Sequence, residues 1–277
     1  MQNKSILSKK WTSSAAERLL SISSTKNVDS AIEWVARKLL ENVTTPPTNV
    51  EEIFPKLNII ACAGRQDLPA SGQLHKAYNG FSIAYNSDQP DARIRFTIAH
   101  EMGHAFFEKN CHNPPRAGEE LERICDLIAA EILMPRWIFY KMLPDRLDIL
   151  SIFFLANTFE TSLTMTAHRC ADFLEISLFE VFNGQIAWGR GVVSRNHGYE
   201  PDDVFLKSLE AANNGSSGVA SVLINRRRWE MEWKCIGNGR ALFLLRDPNS
   251  IKVKPKYNQY AYYESKEEDL MILSQIK

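Results

Sequence analysis

The sequence has no excess charge of either sign, because 33 Lys and Arg residues balance 33 Asp and Glu residues among 277. A neutral chain has no overall field that would steer it to nucleic acid or to an anionic membrane, so any such binding would have to be local. The densest cationic run is Arg226-Arg227-Arg228, followed by Trp229. We interpret this run as a solvated turn or strand end.

Cysteine pairs and long apolar runs are also missing. The five cysteines are scattered without a CxxC pair, which argues against a zinc ribbon or redox motif and fits a reducing compartment. The first ten residues contain three lysines but lack the apolar core of a secretory signal. The longest apolar stretch, Ile149–Ala156, is far shorter than the roughly 20 residues that cross a bilayer. We therefore expect a cytoplasmic protein with no membrane segment.

The spacing of apolar residues predicts the elements of the fold. Within Asp91–Phe107 apolar residues recur at every fourth position, and Glu119–Met134 repeats the helical pattern before Pro135 ends it. From Ile176 onward, short β-forming runs follow one another. Further predicted helices cover Ser30–Val43 and two segments within Arg146–Phe173, and predicted strands cover 58–63, 81–85, 178–182, 219–224 and 241–245, with a loop between the first two.

The first of the two long helices carries the motif His100-Glu101-Met102-Gly103-His104. Residues four apart share one face of a helix, so His100 and His104 can direct two imidazoles at one ion. Zinc suits such ligands, and a catalytic zinc site uses three protein ligands and leaves the fourth position to water. Glu101 projects beside the metal, which suits a general base for water. Gly103 costs about 1 kcal/mol of helix propensity, and close packing is its natural explanation.

The second long helix offers the third ligand. Glu122 and Asp126 are four residues apart and share a face away from most of the apolar stripe. We choose Glu122 as the ligand and assign Asp126 to the free N–H of a ligating histidine, which would fix its tautomer. Three other carboxylates on this helix remain alternatives as ligands: Glu119, Glu120 and Glu131. An HExxH motif can also arise by chance, with histidines that merely pair with surface carboxylates.

The run Arg95–His104, followed by Asp126 and by Ala129–Pro135, resembles the ImmA/IrrE metallopeptidases. The resemblance covers about residues 30 to 175. It implies a gluzincin-like site in which His100, His104 and Glu122 hold Zn²⁺, with Mn²⁺ as an alternative ion, and Glu101 activates water. It also implies that the substrate is a helix-turn-helix repressor of the XRE type, whose cleavage derepresses genes of a stress response or a mobile element.

The resemblance also shapes the expected architecture, an α+β protein that begins with a zincin-like helical domain and a small sheet. We expect a zinc peptidase domain at 1–142, a helical segment resembling a helix-turn-helix at 143–175 and a β-rich domain at 176–277. By its position, this last domain resembles the GAF-like sensor domain of the longer, radiation-response branch of the family.

Two other functions remain open. One is a cytoplasmic metallopeptidase of broader specificity. The other is a DNA-binding regulator with a structural metal, but a structural zinc site normally has four ligands, usually including cysteine. The candidate recognition segment, Ser162–Cys170, contains only Arg169 and His168 as basic residues, too little charge for strong phosphate contact. We therefore expect no direct DNA binding.

Overall fold

The structure is a computed structural model, and it describes residues 11–191 and 200–248. The expectation for the first ten residues falls outside this described part. The chain forms two compact units. The first contains residues up to Met142 together with Phe153–Thr166, and the second contains Leu143–Ile152 together with Ala167 onward.

The helices and strands alternate irregularly, as in an α+β protein. The helices are α1 (Ser14–Ser23), α2 (Val28–Leu39), a 3₁₀ helix (Val50–Leu57), α3 (Asp91–Asn110), α4 (Glu119–Leu133), α5 (Arg136–Met142), α6 (Ile149–Phe159), α7 (Leu163–Phe173) and α8 (Asp203–Asn213). The strands are β1 (Ile59–Arg65), β2 (Gly72–Ala77), β3 (Gly80–Asn86), β4 (Ser177–Phe182), β5 (Gln185–Arg190), β6 (Gly218–Ile224), β7 (Arg227–Gly237) and β8 (Arg240–Arg246). Among the described helices, none is both long and apolar enough to span a bilayer.

The two long helices of the first unit are the ones that apolar spacing predicts. On α3, Ile98, Met102 and Phe106 are buried, and Ile94 is partly buried against the same core. On α4, the predicted apolar face is buried, including Ile124 and Ile128. A helix that buries one apolar stripe gains most of its stability from that packing. The predicted helices are thus confirmed, and both face one core.

The small sheet of the first unit has the order β1-β3-β2, with β1 parallel and β2 antiparallel to β3. The prediction of a loop between the first two β-forming runs is wrong for Gly72–Ala77, which forms β2. Its sequence, GQLHKA, has few β-formers. The strand forms because its backbone pairs with β3 from Gly72–Tyr85 to Ala77–Gly80.

The second unit contains an antiparallel five-stranded sheet of order β5-β4-β8-β7-β6. Its core stacks Phe179 on Phe243 at 4.7 Å between ring centroids and includes Phe205 of α8. Helix α8 is absent from the predicted elements, although Asp202 caps it by accepting from the Phe205 N–H. The run Arg226–Arg228 lies at the turn and start of β7, as predicted. The predicted α+β class with a β-rich C-terminal part is confirmed.

Candidate metal centre

The predicted metal-binding face is assembled where α3 packs closely on α4. A Cβ at Gly103 would lie 3.0 Å from Cys125 Cα and 3.1 Å from Cys125 Cβ. Glycine therefore lets the two helix backbones approach more closely than a side chain would allow. Because Cys125 lies between Glu122 and Asp126 in sequence, this approach brings both carboxylates to the histidines. The predicted role of Gly103 in close packing is confirmed.

Three side chains converge at this contact. The distances are 3.1 Å from His100 Nε2 to His104 Nε2, 3.1 Å from His100 Nε2 to Glu122 Oε2, and 3.5 Å from His104 Nε2 to Glu122 Oε2. In a tetrahedral zinc site with ligand distances of 2.0–2.1 Å, adjacent ligand atoms are about 3.3 Å apart. The spacing of these donor atoms therefore fits a zinc ion. Within the described residues, these three form a group of metal-ligand type.

Asp126 supports one of the imidazoles. Its Oδ1 lies 2.8 Å from His100 Nδ1. In the neutral ring, the hydrogen on Nδ1 is donated to the carboxylate, so Nε2 presents its lone pair toward Glu122 and His104. The sequence assigns Asp126 to this contact, and the structure brings the two residues together. Such a carboxylate fixes the orientation of a ligating histidine.

Glu101 lies beside the group, held by the small sheet. Its side chain is buried and forms a hydrogen bond with the backbone of Leu74 on β2. Gly72 packs against the same helix, since a Cβ there would lie 2.4 Å from Thr97 Cγ2 and 3.2 Å from Glu101 Oε1. Strand β2 therefore fixes Glu101 from one side. Sequence reasoning misses this contribution because the hydrogen bond comes from the backbone, whose position depends on the pairing with β3.

Burial and neighbouring charges shift the pKa values of His100, Glu101 and His104. Burial raises the pKa of Glu101, an effect that the nearby His100 opposes. Burial lowers the pKa of His104, and the neighbouring His100 lowers it further. Burial also acts against protonation of His100, but the hydrogen bond and charge of Asp126, with Glu101 and Glu122, raise its pKa overall. A raised pKa suits a proton acceptor in Glu101, and a lowered pKa favours the neutral imidazole that a ligand needs.

The alternative carboxylates of α4 lie elsewhere. Glu120 accepts from the backbone N–H groups of Thr12 and Ser13 at the start of α1. Glu131 is 1% exposed and pairs with Arg136. Glu119, in the first turn of α4, is outside the three-residue group. Glu122 is thus the carboxylate that α4 places against both histidines.

A cavity of about 270 Å³ opens beside the group. Glu101 and His104 line it together with Leu74, Phe107, Glu108 and Leu121. Pro114 and Pro115, from the loop between α3 and α4, complete its wall. The wall therefore combines three polar side chains with apolar ones, and a cavity with a few convergent polar groups is a common form of ligand site.

Comparison with known proteins defines the class of this site. Residues 66–171 match the family model Peptidase_M78, described as the IrrE N-terminal-like domain. At the family level, this is a metallopeptidase domain, and it spans α3, α4 and the group between them. Residues 66–171 are thus similar to the IrrE N-terminal-like domain of the Peptidase_M78 family, and the resemblance inferred from the sequence is confirmed.

The fold has a counterpart among solved structures. A structure described as "Mycobacterium tuberculosis transcriptional regulator" matches with a TM-score of 0.53 and 12% sequence identity. The match covers 83% of this chain and 80% of that chain. At this identity the likeness shows the fold alone. No curated protein matches the sequence.

Proposed function

We propose that the protein is a zinc-dependent endopeptidase in which His100, His104 and Glu122 hold the ion and Glu101 is the general base. The observation that carries this proposal is the triangle of two Nε2 atoms and one Oε2 atom, with sides of 3.1, 3.1 and 3.5 Å. Three protein ligands without cysteine are typical of a catalytic site rather than a structural one. Mn²⁺ is the alternative ion.

The proposed role of each residue in peptide hydrolysis follows from the position of its side chain. A zinc ion would supply Lewis-acid polarisation of the substrate carbonyl and a more acidic water. Glu101 accepts the proton of the water that attacks the carbonyl carbon, and transfers it to the amide nitrogen as the C–N bond breaks. Asp126 holds His100 in one tautomer and orientation throughout. Leu74 keeps the Glu101 carboxyl in place through its backbone hydrogen bond.

The substrate we propose is a helix-turn-helix repressor, cut at one site to switch on the genes that it silences. The family match to an IrrE N-terminal-like domain supports a regulatory peptidase. The mycobacterial protein of similar fold is itself called a transcriptional regulator, which is in keeping with a role in gene control. To reach Glu101, a substrate would have to enter the adjacent cavity as an extended or locally unfolded segment, which folded proteins rarely offer. We therefore expect the protein to cut its substrate only where such a segment is exposed.

The basic residues of α7 are poorly placed for DNA binding. Arg169 is only 4% exposed, so its charge is not available to a phosphate group. His168 stacks on Trp188 with 4.3 Å between ring centroids. These are the two basic residues of the candidate recognition segment, Ser162–Cys170. We assign α7 a packing role, and within our proposal 143–175 connects a peptidase domain at 1–142 to a sensor-like domain at 176–277.

Co-incubation with a helix-turn-helix repressor tests this function, and the product of the neighbouring gene is the first protein to try. Zinc-loaded protein should produce one cut, visible by mass spectrometry, and should leave casein largely intact. Glu101→Gln should retain binding of the repressor and lose cutting, because it removes the base and keeps the ligands. Rapid digestion of casein that is lost in Glu101→Gln would instead identify a peptidase of broad specificity.

A further inference from the structure

The cavity beside Glu101 contains one acidic group that the proposed chemistry does not use. Glu108 lies on α3 one helical turn after His104, so the two side chains share a face. The Glu108 side chain is half-buried at the cavity wall. Within the part of the chain that the structure describes, its carboxylate forms no hydrogen bond or ion pair. The adjacent Lys109 is directed elsewhere, since its Nζ donates to the Lys56 carbonyl at 2.7 Å.

Apart from Glu108, Glu101 and His104, the side chains that line the cavity are apolar. Phe107 and Leu121 are 1% and 6% exposed, and Leu74, Pro114 and Pro115 complete the lining. Lysine and arginine side chains combine an apolar stem with a charged end, and they place the stem on apolar surface while the charge reaches a polar partner. A half-buried carboxylate loses part of its hydrogen bonding to water. A cation that donates a hydrogen bond to it would compensate for that loss.

We propose that this cavity selects a lysine or arginine side chain of the substrate next to the bond that is cut, with Glu108 as the specificity-determining residue. The substrate class is therefore an extended peptide segment with a basic residue at that position. This inference rests on the proposed peptidase function. The inference adds to that function a preference for basic side chains. The preference comes from Glu108, which is neither a proposed metal ligand nor the proposed base.

A capped peptide library tests the proposal, because acetylated and amidated ends leave side chains as the only cations. Zinc-loaded wild-type protein should cut peptides with lysine or arginine at one position beside the bond about tenfold faster than those with norleucine, a difference expected for one charged hydrogen bond. Glu108→Gln should lose the preference, and Glu108→Lys should favour aspartate or glutamate. Glu17→Gln, which removes an exposed glutamate of α1 outside this cavity, is the matched control and should keep the wild-type profile.

Binding gives a readout that does not require cutting. Immobilised Glu101→Gln protein should retain peptides with lysine or arginine over norleucine, and the double variant with Glu108→Gln should not. Cutting or retention with no basic preference, or a preference that survives Glu108→Gln, would overturn the assignment of Glu108 while leaving the peptidase function intact. Absence of all cutting, with retention still dependent on Glu108, would reject the peptidase function and support the cavity's preference for basic side chains.

Discussion

His100 Nδ1 and Asp126 Oδ1 lie 2.8 Å apart, which links the helix of the HExxH motif to the helix that supplies the third candidate ligand. Asp126→Ala should weaken zinc binding about 10- to 100-fold, because the imidazole loses the group that fixes its tautomer. Asp126→Asn should have a smaller effect, since an amide oxygen still accepts the hydrogen bond. Competition with a chromogenic chelator measures both affinities. Unchanged affinity in Asp126→Ala would show that the contact does not support metal binding.

Close helix packing at Gly103 gives a second prediction. In Gly103→Ala the new Cβ meets the Cys125 backbone at 3.0 Å, so α4 must shift by a few tenths of an ångström. We expect zinc affinity to fall about tenfold, even though alanine favours the helix by about 1 kcal/mol. The control is Gly118→Ala, where nothing lies within 4 Å of the added Cβ. Equal zinc affinity for both variants, measured by chelator competition, would contradict this account.

His168 of the second unit predicts a pH dependence of stability. Burial lowers the pKa of His168 and Arg190 lowers it further, while Asp172 and Glu180 act in the opposite direction. The unfolded chain therefore binds more protons than the folded protein, and the contribution of neutral His168 is present above about pH 6.5 and lost below it. His168→Gln should flatten the loss of unfolding free energy between about pH 7 and about pH 5.

Urea unfolding followed by tryptophan fluorescence measures this slope for the two proteins. The difference between them isolates His168 from the other titrating groups. A steeper slope in His168→Gln would mean that the folded protein favours protonated His168, opposite to the effect expected from its burial.

Truncation tests the proposed division of the chain. A fragment of residues 1–175 contains every described residue of the first unit and the whole match to the IrrE N-terminal-like domain. We expect it to fold and to bind zinc, because the core around α2, α3 and α4 lies within it. Circular dichroism and metal content are the measurements. An insoluble or metal-free fragment would show that the proposed boundary is misplaced.

The sequence predicts which side chains meet in the candidate metal group because local geometry determines most of their positions. His100, Glu101 and His104 lie within a single helical turn, where spacing alone determines which side chains share a face. Glu122 and Asp126 require one further assumption, that the next helix packs against the first. Gly103, an unfavourable residue within a helix, is the signal for that contact.

The sequence does not reveal what depends on long-range pairing. Strand β2 has few β-forming residues and forms through its pairing with β3, so no local sequence signal predicts the hydrogen bond from Leu74 to Glu101. The four-residue spacing between His104 and Glu108 indicates that the two side chains share a face of the helix. Only the structure shows that Glu108 lines one cavity with Pro114 and Pro115 of the loop. Asp202, the N-cap of α8, is likewise a residue type that indicates the start of a helix in the sequence.

The most direct test of the proposed zinc site is the zinc content per chain, measured by plasma mass spectrometry after dialysis against buffer with trace zinc. We expect about one zinc per chain in the wild type and in Glu101→Gln, and close to none in Glu122→Ala. Glu120→Ala, which alters a carboxylate of the same helix outside the three-residue group, should retain the ion. Full zinc in Glu122→Ala, or loss of zinc in Glu120→Ala with retention in Glu122→Ala, would contradict the assignment of the third ligand.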